Sequence, residues 1–256
     1  MTIRVAVMGL VILILVCPVV MGAGFADSDW PCYKGNARRT GLSSHDFGDN
    51  LGRENWVRNV GGSVYTTPVI GPDGTIYVMS SYSMQAFDAQ GNQLWAKPWM
   101  SGDSGSPVIT DNGDIIFMRY DYTMTCIDTE GNFQWAFNLT GKTYSSSLIG
   151  NDGTIYFGSR DYKVWDVERT SYEWTSSLYA LNSDGTMKWN KTFVRTISSS
   201  PAMGQGNTIY ITHDRNLTAL NQNGNVLWEA NMGYYVGAST PAVAPDGTIS
   251  VSYTHL

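Results

Sequence analysis

Short runs of apolar, β-branched and aromatic residues alternate with polar turns along most of this chain. Between Thr66 and Lys97 the pattern reads as four strands, residues 66–70, 75–80, 84–88 and 93–97. Asp73-Gly74 turns the chain between the first two, because Asp-Gly supplies the positive φ that a tight hairpin requires. Thr, Ile, Tyr and Val favour the pleated strands on either side. Beyond residue 26 no stretch spaces its apolar residues by three and four, so a helical solenoid is excluded.

The same pattern recurs down the chain. Trp56, Trp95, Trp135, Trp189 and Trp228 are separated by 39, 40, 54 and 39 residues. A turn glycine stands four residues before each of the last four, as Gly91, Gly131, Gly185 and Gly224. Midway between tryptophans a second turn recurs at Gly74, Gly113, Gly153, Gly206 and Gly247, four of these leading into Ile-Tyr, Ile-Ile-Phe or a similar run. Two turns and a tryptophan in one phase mark an internal repeat of about forty residues, the length of four short strands with three loops. A four-stranded antiparallel unit cannot bury both of its faces alone, so it stacks against neighbours around an axis. The expected fold is all-β, a β-propeller of four-stranded antiparallel blades. The five tryptophans are expected to dock blade on blade, each filling the layer between blades with about 150–250 Å² of surface.

Ala86-Phe87-Asp88 leading to Trp95, its counterpart Ala180-Leu181-Asn182 leading to Trp189, the Gly-Thr-Ile-Tyr runs, and Ser/Thr-Pro at Thr67, Ser106, Ser200 and Thr240 resemble the PQQ-like repeats of quinoprotein-type β-propellers. The resemblance covers roughly residues 56–254. Upstream, Asp29-Trp30-Pro31 and residues 35–41 resemble the opening of exported members, a segment that in such proteins precedes the first strand and helps close the ring. Members that oxidise alcohols with pyrroloquinoline quinone carry, by the same resemblance, a vicinal cysteine pair and a calcium or lanthanide site. This chain has no adjacent Cys-Cys pair. The resemblance therefore implies a non-enzymatic scaffold or binding branch, such as scaffolds of outer-membrane assembly, with no cofactor; a fragment of a quinoprotein dehydrogenase is the alternative.

The first 26 residues change the picture of location. Arg4 precedes a nearly uninterrupted apolar run from Val5 to Met21, and Gly24-Phe25-Ala26 offers small residues to a signal peptidase. Residues 1–26 read as a secretory signal, residues 27–55 as a lead-in segment and residues 56–256 as propeller blades. Leu15 and Val16 before Cys17 are too large for a typical lipidation site. After cleavage no apolar stretch is long enough to span a membrane as a helix, and the chain is expected to be secreted or periplasmic, or associated with the cell surface.

Charge and chemistry narrow the functions further. The formal net charge is -6, with 16 basic and 22 acidic residues and no basic run longer than Arg38-Arg39. Nucleic-acid binding is not expected, because neutralising phosphates requires a clustered positive surface. Cys32 and Cys126 remain after the leader and read either as one disulfide or as buried free thiols. His45, His213 and His255 are scattered and read as surface residues rather than ligands. Asp73, Asp88, Asp128 and Asp246 stand where turns want them. No catalytic, cofactor or metal residue is assigned.

The unit between Trp135 and Trp189 is about 14 residues longer than the others. Its extra residues fall between a strand ending near Ser159 and one beginning near Leu178, and include Trp165, Tyr172 and Trp174 among charges. Such an insertion emerges at a rim of the ring, where loops on a rigid scaffold often carry binding. These three aromatics are the expected contacts for a protein or carbohydrate partner; the structural alternative is a hairpin extension packing its aromatics on its own blade. The final unit begins on pattern at Thr240 but reaches Leu256 without a third strand or a tryptophan. The expectation is an incomplete ring, about five of seven or eight blades.

Overall fold

The computed structural model describes residues 24–28, 30–42, 54–100, 102, 105–166 and 171–252, with the side chains of 161–174 outside that description. Four four-stranded antiparallel sheets follow one another along the chain. The first is β1 to β4 (Val69–Ile70, Ile76–Met79, Met84–Phe87, Gln93–Lys97) and the second β5 to β8 (Val108–Ile109, Ile115–Met118, Thr123–Ile127, Phe133–Asn138). The third is β9 to β12 (Leu148–Ile149, Ile155–Asp166, Ser171–Leu181, Met187–Val194), the fourth β13 to β16 (Ala202–Met203, Ile209–His213, Asn216–Leu220, Val226–Asn231). A fifth sheet pairs β17 (Ala242–Val243) with β18 (Ile249–Ser250). Each sheet is a meander in sequence order, the arrangement of a propeller blade.

One cross-strand row explains why each unit needs its particular residues. In the first blade Val69, Tyr77, Ala86 and Trp95 lie opposite one another across all four strands. Leu148, Tyr156, Ala180 and Trp189 repeat the row in the third, and Ala202, Tyr210, Ala219 and Trp228 in the fourth. The small residue in the middle lets the flanking rings meet over it, with Tyr and Trp centroids 5.9 Å apart in all three blades. Beside that small residue the register slips in every four-stranded blade, at Ala86/Phe87, Cys126/Ile127, Ala180/Leu181 and Ala219/Leu220. The slip is a β-bulge, which bends the outer strand and increases its twist.

The layer between blades is filled by the middle strands. Tyr77, Met79 and Met84 of the first blade form one buried cluster with Ile109, Ile115 and Phe117 of the second. Burying each such side chain is worth about 1.5–3 kcal/mol. Trp95, Trp135 and Trp189 pack against such clusters from the outer edge of the layer. Trp56, Trp95, Trp135 and Trp189 are half-buried, and each indole N–H donates to a turn carbonyl of the next blade: Ala89 at 3.0 Å, Thr129 at 2.8 Å, Ser183 at 3.0 Å and Gln222 at 2.8 Å. Trp228, on β16, is exposed. All nine turn glycines have positive φ, from 64° to 91°. Two are needed for a second reason: a Cβ on Gly91 or Gly185 would lie 2.5 Å from the ring of Trp56 or Trp135. At Gly91, Gly185 and Gly224 the glycine four residues ahead of a tryptophan is thus the seat for the tryptophan of the preceding unit, whereas at Gly131 the Lys97 side chain takes that place.

Residues 24–41 do more than precede the first strand. Ala26 donates its amide to Ile109, and Gly24 accepts from Asp111. The carbonyls of Trp30, Pro31, Ala37 and Arg38 accept the amides of Ile70, Ile109, Met203 and Val243. The segment therefore pairs with the innermost strands β1, β5, β13 and β17, and satisfies edges that would otherwise be open along the axis. Residues 1–23, which carry most of the expected leader, lie outside the described residues, as do residues 43–53 of the lead-in. Gly24, Phe25 and Ala26, placed at the leader's end by sequence, are inside the fold, and Ala26 is buried in the first core cluster.

Candidate functional site

Two features share one end of the ring. Thr67, Ser106, Ser146, Ser200 and Thr240 each stand two residues before an innermost strand, so all five sit at the end where those strands begin. They form a ladder around the axis in which the amide of one blade donates to the hydroxyl of the next. Thr67 donates to Ser106 (2.9 Å), Ser106 to Ser146 (2.8 Å), Ser146 to Ser200 (2.9 Å) and Ser200 to Thr240 (3.1 Å). Proline follows four of these residues and fixes the extended entry into the strand. Above the ladder lies an open depression of about 230 Å³, rimmed by Tyr33, Tyr65 and Tyr144. Among the described residues lining it there is no carboxylate, lysine or arginine.

The second feature is the insertion. The third blade's β10 and β11 run on past the start of β9, as a hairpin to Asp166 and from Ser171, the backbone form of the hairpin alternative in the sequence. Because β9 and β10 are antiparallel, this hairpin projects from the same end as the depression. Trp165 is the register partner of Tyr172, and Lys163 that of Trp174, with a bulge between Arg160 and Lys163. The side chains of Trp165, Tyr172 and Trp174 lie outside the described residues.

Beneath the depression sits Arg39, fully buried. Its guanidinium donates from Nε to Pro201 (3.0 Å), from Nη1 to Tyr33 (2.7 Å) and from Nη2 to Ser147 (2.6 Å), all backbone carbonyls. One side chain of the axial segment thus ties the third and fourth blades together. Burial lowers its pKa, against the opposing pull of Cys32 and Tyr33, yet arginine keeps its proton in proteins.

The turn carboxylates are occupied structurally. Asp88 and Asp128 each accept two turn amides, and Asp73 and Asp246 each accept one from Thr75 and Thr248. The side-chain amide of Asn92, with the turn amides, holds the Asp88 carboxyl below the usual range, and the Thr248 amide does the same for Asp246. Cys32 and Cys126 are free thiols in one buried cluster, and burial pushes the Cys32 thiol up to about 11. His213 corrects the sequence reading: it ends β14 inside the protein, 6% exposed, with Nε2 2.9 Å from Thr218 Oγ1 and 3.2 Å from Glu229 Oε2. Among the described residues no group of three His, Cys, Asp or Glu side chains is placed to hold a metal ion, and no helix is long and apolar enough to cross a membrane.

The family model described as outer membrane protein assembly factor BamB matches residues 45–174 and 171–254. The chain belongs to that family. Among solved structures, BamB from Moraxella catarrhalis is 17% identical, with 77% of this chain and 74% of that one covered at a TM-score of 0.46. A protein of unknown function from Bacteroides caccae is 15% identical over 72% of this chain at 0.44, and the Pan2 WD40 domain of Neurospora crassa 10% identical over 66% at 0.47. This chain spans 64% of the Bacteroides protein and half of the Pan2 domain. No curated protein matches it in sequence.

The sequence signal for the depression was present but read only as a family mark. The recurrent Ser/Thr before a strand is the ladder itself. Arg39 carried no comparable signal, since its partners are backbone carbonyls, two of them more than a hundred residues away.

Proposed function

We propose that this protein is an exported β-propeller scaffold or binding module whose protein or carbohydrate partner docks at the end of the ring where the innermost strands begin. The observation that carries the reading is the shared placement of the β10–β11 hairpin and the axial depression at that end. A rigid ring holds both in fixed relation, which lowers the ordering cost of binding. Membership of a family described as an outer membrane assembly factor, together with the apolar N-terminal run, supports a location outside the cytoplasm. The aromatics Trp165, Tyr172 and Trp174 are the contacts proposed for the hairpin, since aromatic side chains are enriched at interfaces.

The test uses the full tagged chain in cells that export it, beside a variant with residues 161–174 replaced by an Asn-Gly turn. Both should leave the cytoplasm and fold alike, and the shortened variant should lose a partner that the parent retains through stringent washing. Retention of the tagged parent in the cytoplasm, or equal partner recovery by both proteins, would contradict the reading.

A further inference from the structure

We propose that the axial depression binds the uncharged, hydroxyl-rich end of a saccharide. This rests on the binding-module reading above and adds to it a site and a ligand class.

The ladder determines what the depression can offer. Each of Ser106, Ser146, Ser200 and Thr240 uses one hydroxyl lone pair to accept the amide of the preceding blade. That bond fixes the oxygen in place while leaving its O–H proton and a second lone pair available. The wall is therefore a curved row of held hydroxyls, each able to donate one bond and accept one. Sugar hydroxyls have the same capacity and a similar density, so they match such a row without leaving a group unpaired.

The rim supplies the other half of the recognition. Tyr65 is 72% exposed and Tyr144 is 43% exposed, and both border the depression. The ammonium of Lys142 lies 5.2 Å from the Tyr144 ring centroid and steadies that ring. Aromatic rings at this position give a flat surface for the C–H face of a pyranose, while the phenol hydroxyls extend the polar row. Charged ligands find no counter-charge among the described lining residues, and desolvating an unpaired charge there is costly. Large apolar side chains of a peptide find little apolar wall. A neutral saccharide satisfies both conditions at once.

The experiment titrates the full chain with maltohexaose, cellohexaose, xylohexaose and chitohexaose by calorimetry, beside an uncharged Gly-Ser-Asn peptide. At least one oligosaccharide should bind, and Tyr65→Ala and Tyr144→Ala should each weaken it tenfold or more with an unchanged melting temperature. Phe133→Ala, an exposed aromatic on β8 away from the depression, should leave affinity within twofold. Absence of binding to all four sugars, binding that ignores both tyrosines, or stronger tyrosine-dependent binding of the peptide would each overturn the proposal. A sugar-negative chain that still loses a partner when its hairpin is shortened would leave the binding-module reading standing and remove only the saccharide site.

Discussion

Replacing Arg39 with alanine removes three hydrogen bonds to carbonyls on Tyr33, Ser147 and Pro201 at one stroke. Bonds to a charged donor contribute about 1.5–3 kcal/mol each, so the gross loss is large. Removing the buried cation also removes its desolvation cost, several kcal/mol in proteins. The carbonyls of Ser147 and Pro201 are left buried and unpaired, at about 1–3 kcal/mol each, and that of Tyr33 half-buried. No charge is left behind, so the unpaired carbonyls set the balance at about 2–6 kcal/mol, a large part of the 5–15 kcal/mol by which a domain is stable. Arg39 also sits at φ 59°, in the left-handed region, so Arg39→Gly should be milder than Arg39→Ala by about 1 kcal/mol. Arg39→Lys keeps the charge but not the fork of donors and should fall between alanine and the parent. Urea unfolding gives the stability change. Hydrogen exchange gives its place: the amides of Ile70, Ile109, Met203 and Val243, which donate to the axial segment, should lose protection before those of β6 and β7. A loss under about 1 kcal/mol with those four amides still protected would refute the idea that Arg39 anchors the segment.

Three further outcomes follow from the packing. Gly185→Ala must seat a Cβ 2.5 Å from the Trp135 ring at φ +83°, whereas Gly74→Ala meets nothing within 4 Å at φ +82°; both should cost about 1 kcal/mol for backbone strain, and thermal melting should show Gly185→Ala the worse by a further kcal/mol or so. Burial lowers the His213 pKa from its usual 6.5, outweighing the Glu229 charge, so its contribution is present above pH 6.5 and lost as pH falls through the folded value. Stability should then decline below pH 6.5 by up to about 1.4 kcal/mol per pH unit, and His213→Gln should flatten that part of the urea-midpoint profile. Because Ala26 is buried and Gly24 accepts from Asp111, N-terminal sequencing of the exported protein should begin at or before Gly24; a start at Asp27 would show that these contacts are dispensable.

The blades were legible because one physical rule repeats in them. A tryptophan must reach the next unit, a glycine must receive it, and a small residue must sit beneath it, so the spacing appears in the sequence four times over. Strand ends were legible from Asp-Gly and Asn-Gly turns, which leave few alternatives for the backbone. The axial segment was not, because residues 24–41 hold the ring through backbone carbonyls and amides, which every residue possesses. His213 was placed at the surface because it follows a run of β-branched residues, whereas the pairing of His213 with Asn216 keeps it within the strand and buried. The insertion was located correctly by its length, but its strands extend beyond the expected bounds because alternating residues on both sides, from Ser159 to Asp166 and from Ser171 to Leu178, can keep the ladder going.

The claim on which the rest depends is that one end of the ring is the binding face. A photo-crosslinking amino acid placed at Tyr65 or at Tyr172 samples that end; at Gln90 or Asn223, in the turns that follow β3 and β15, it samples the opposite one. After irradiation in the exporting cell, adducts of one defined composition should form from Tyr65 and Tyr172 and be missing from Gln90 and Asn223. Adducts formed equally from both ends, or only from Gln90 and Asn223, would contradict the account.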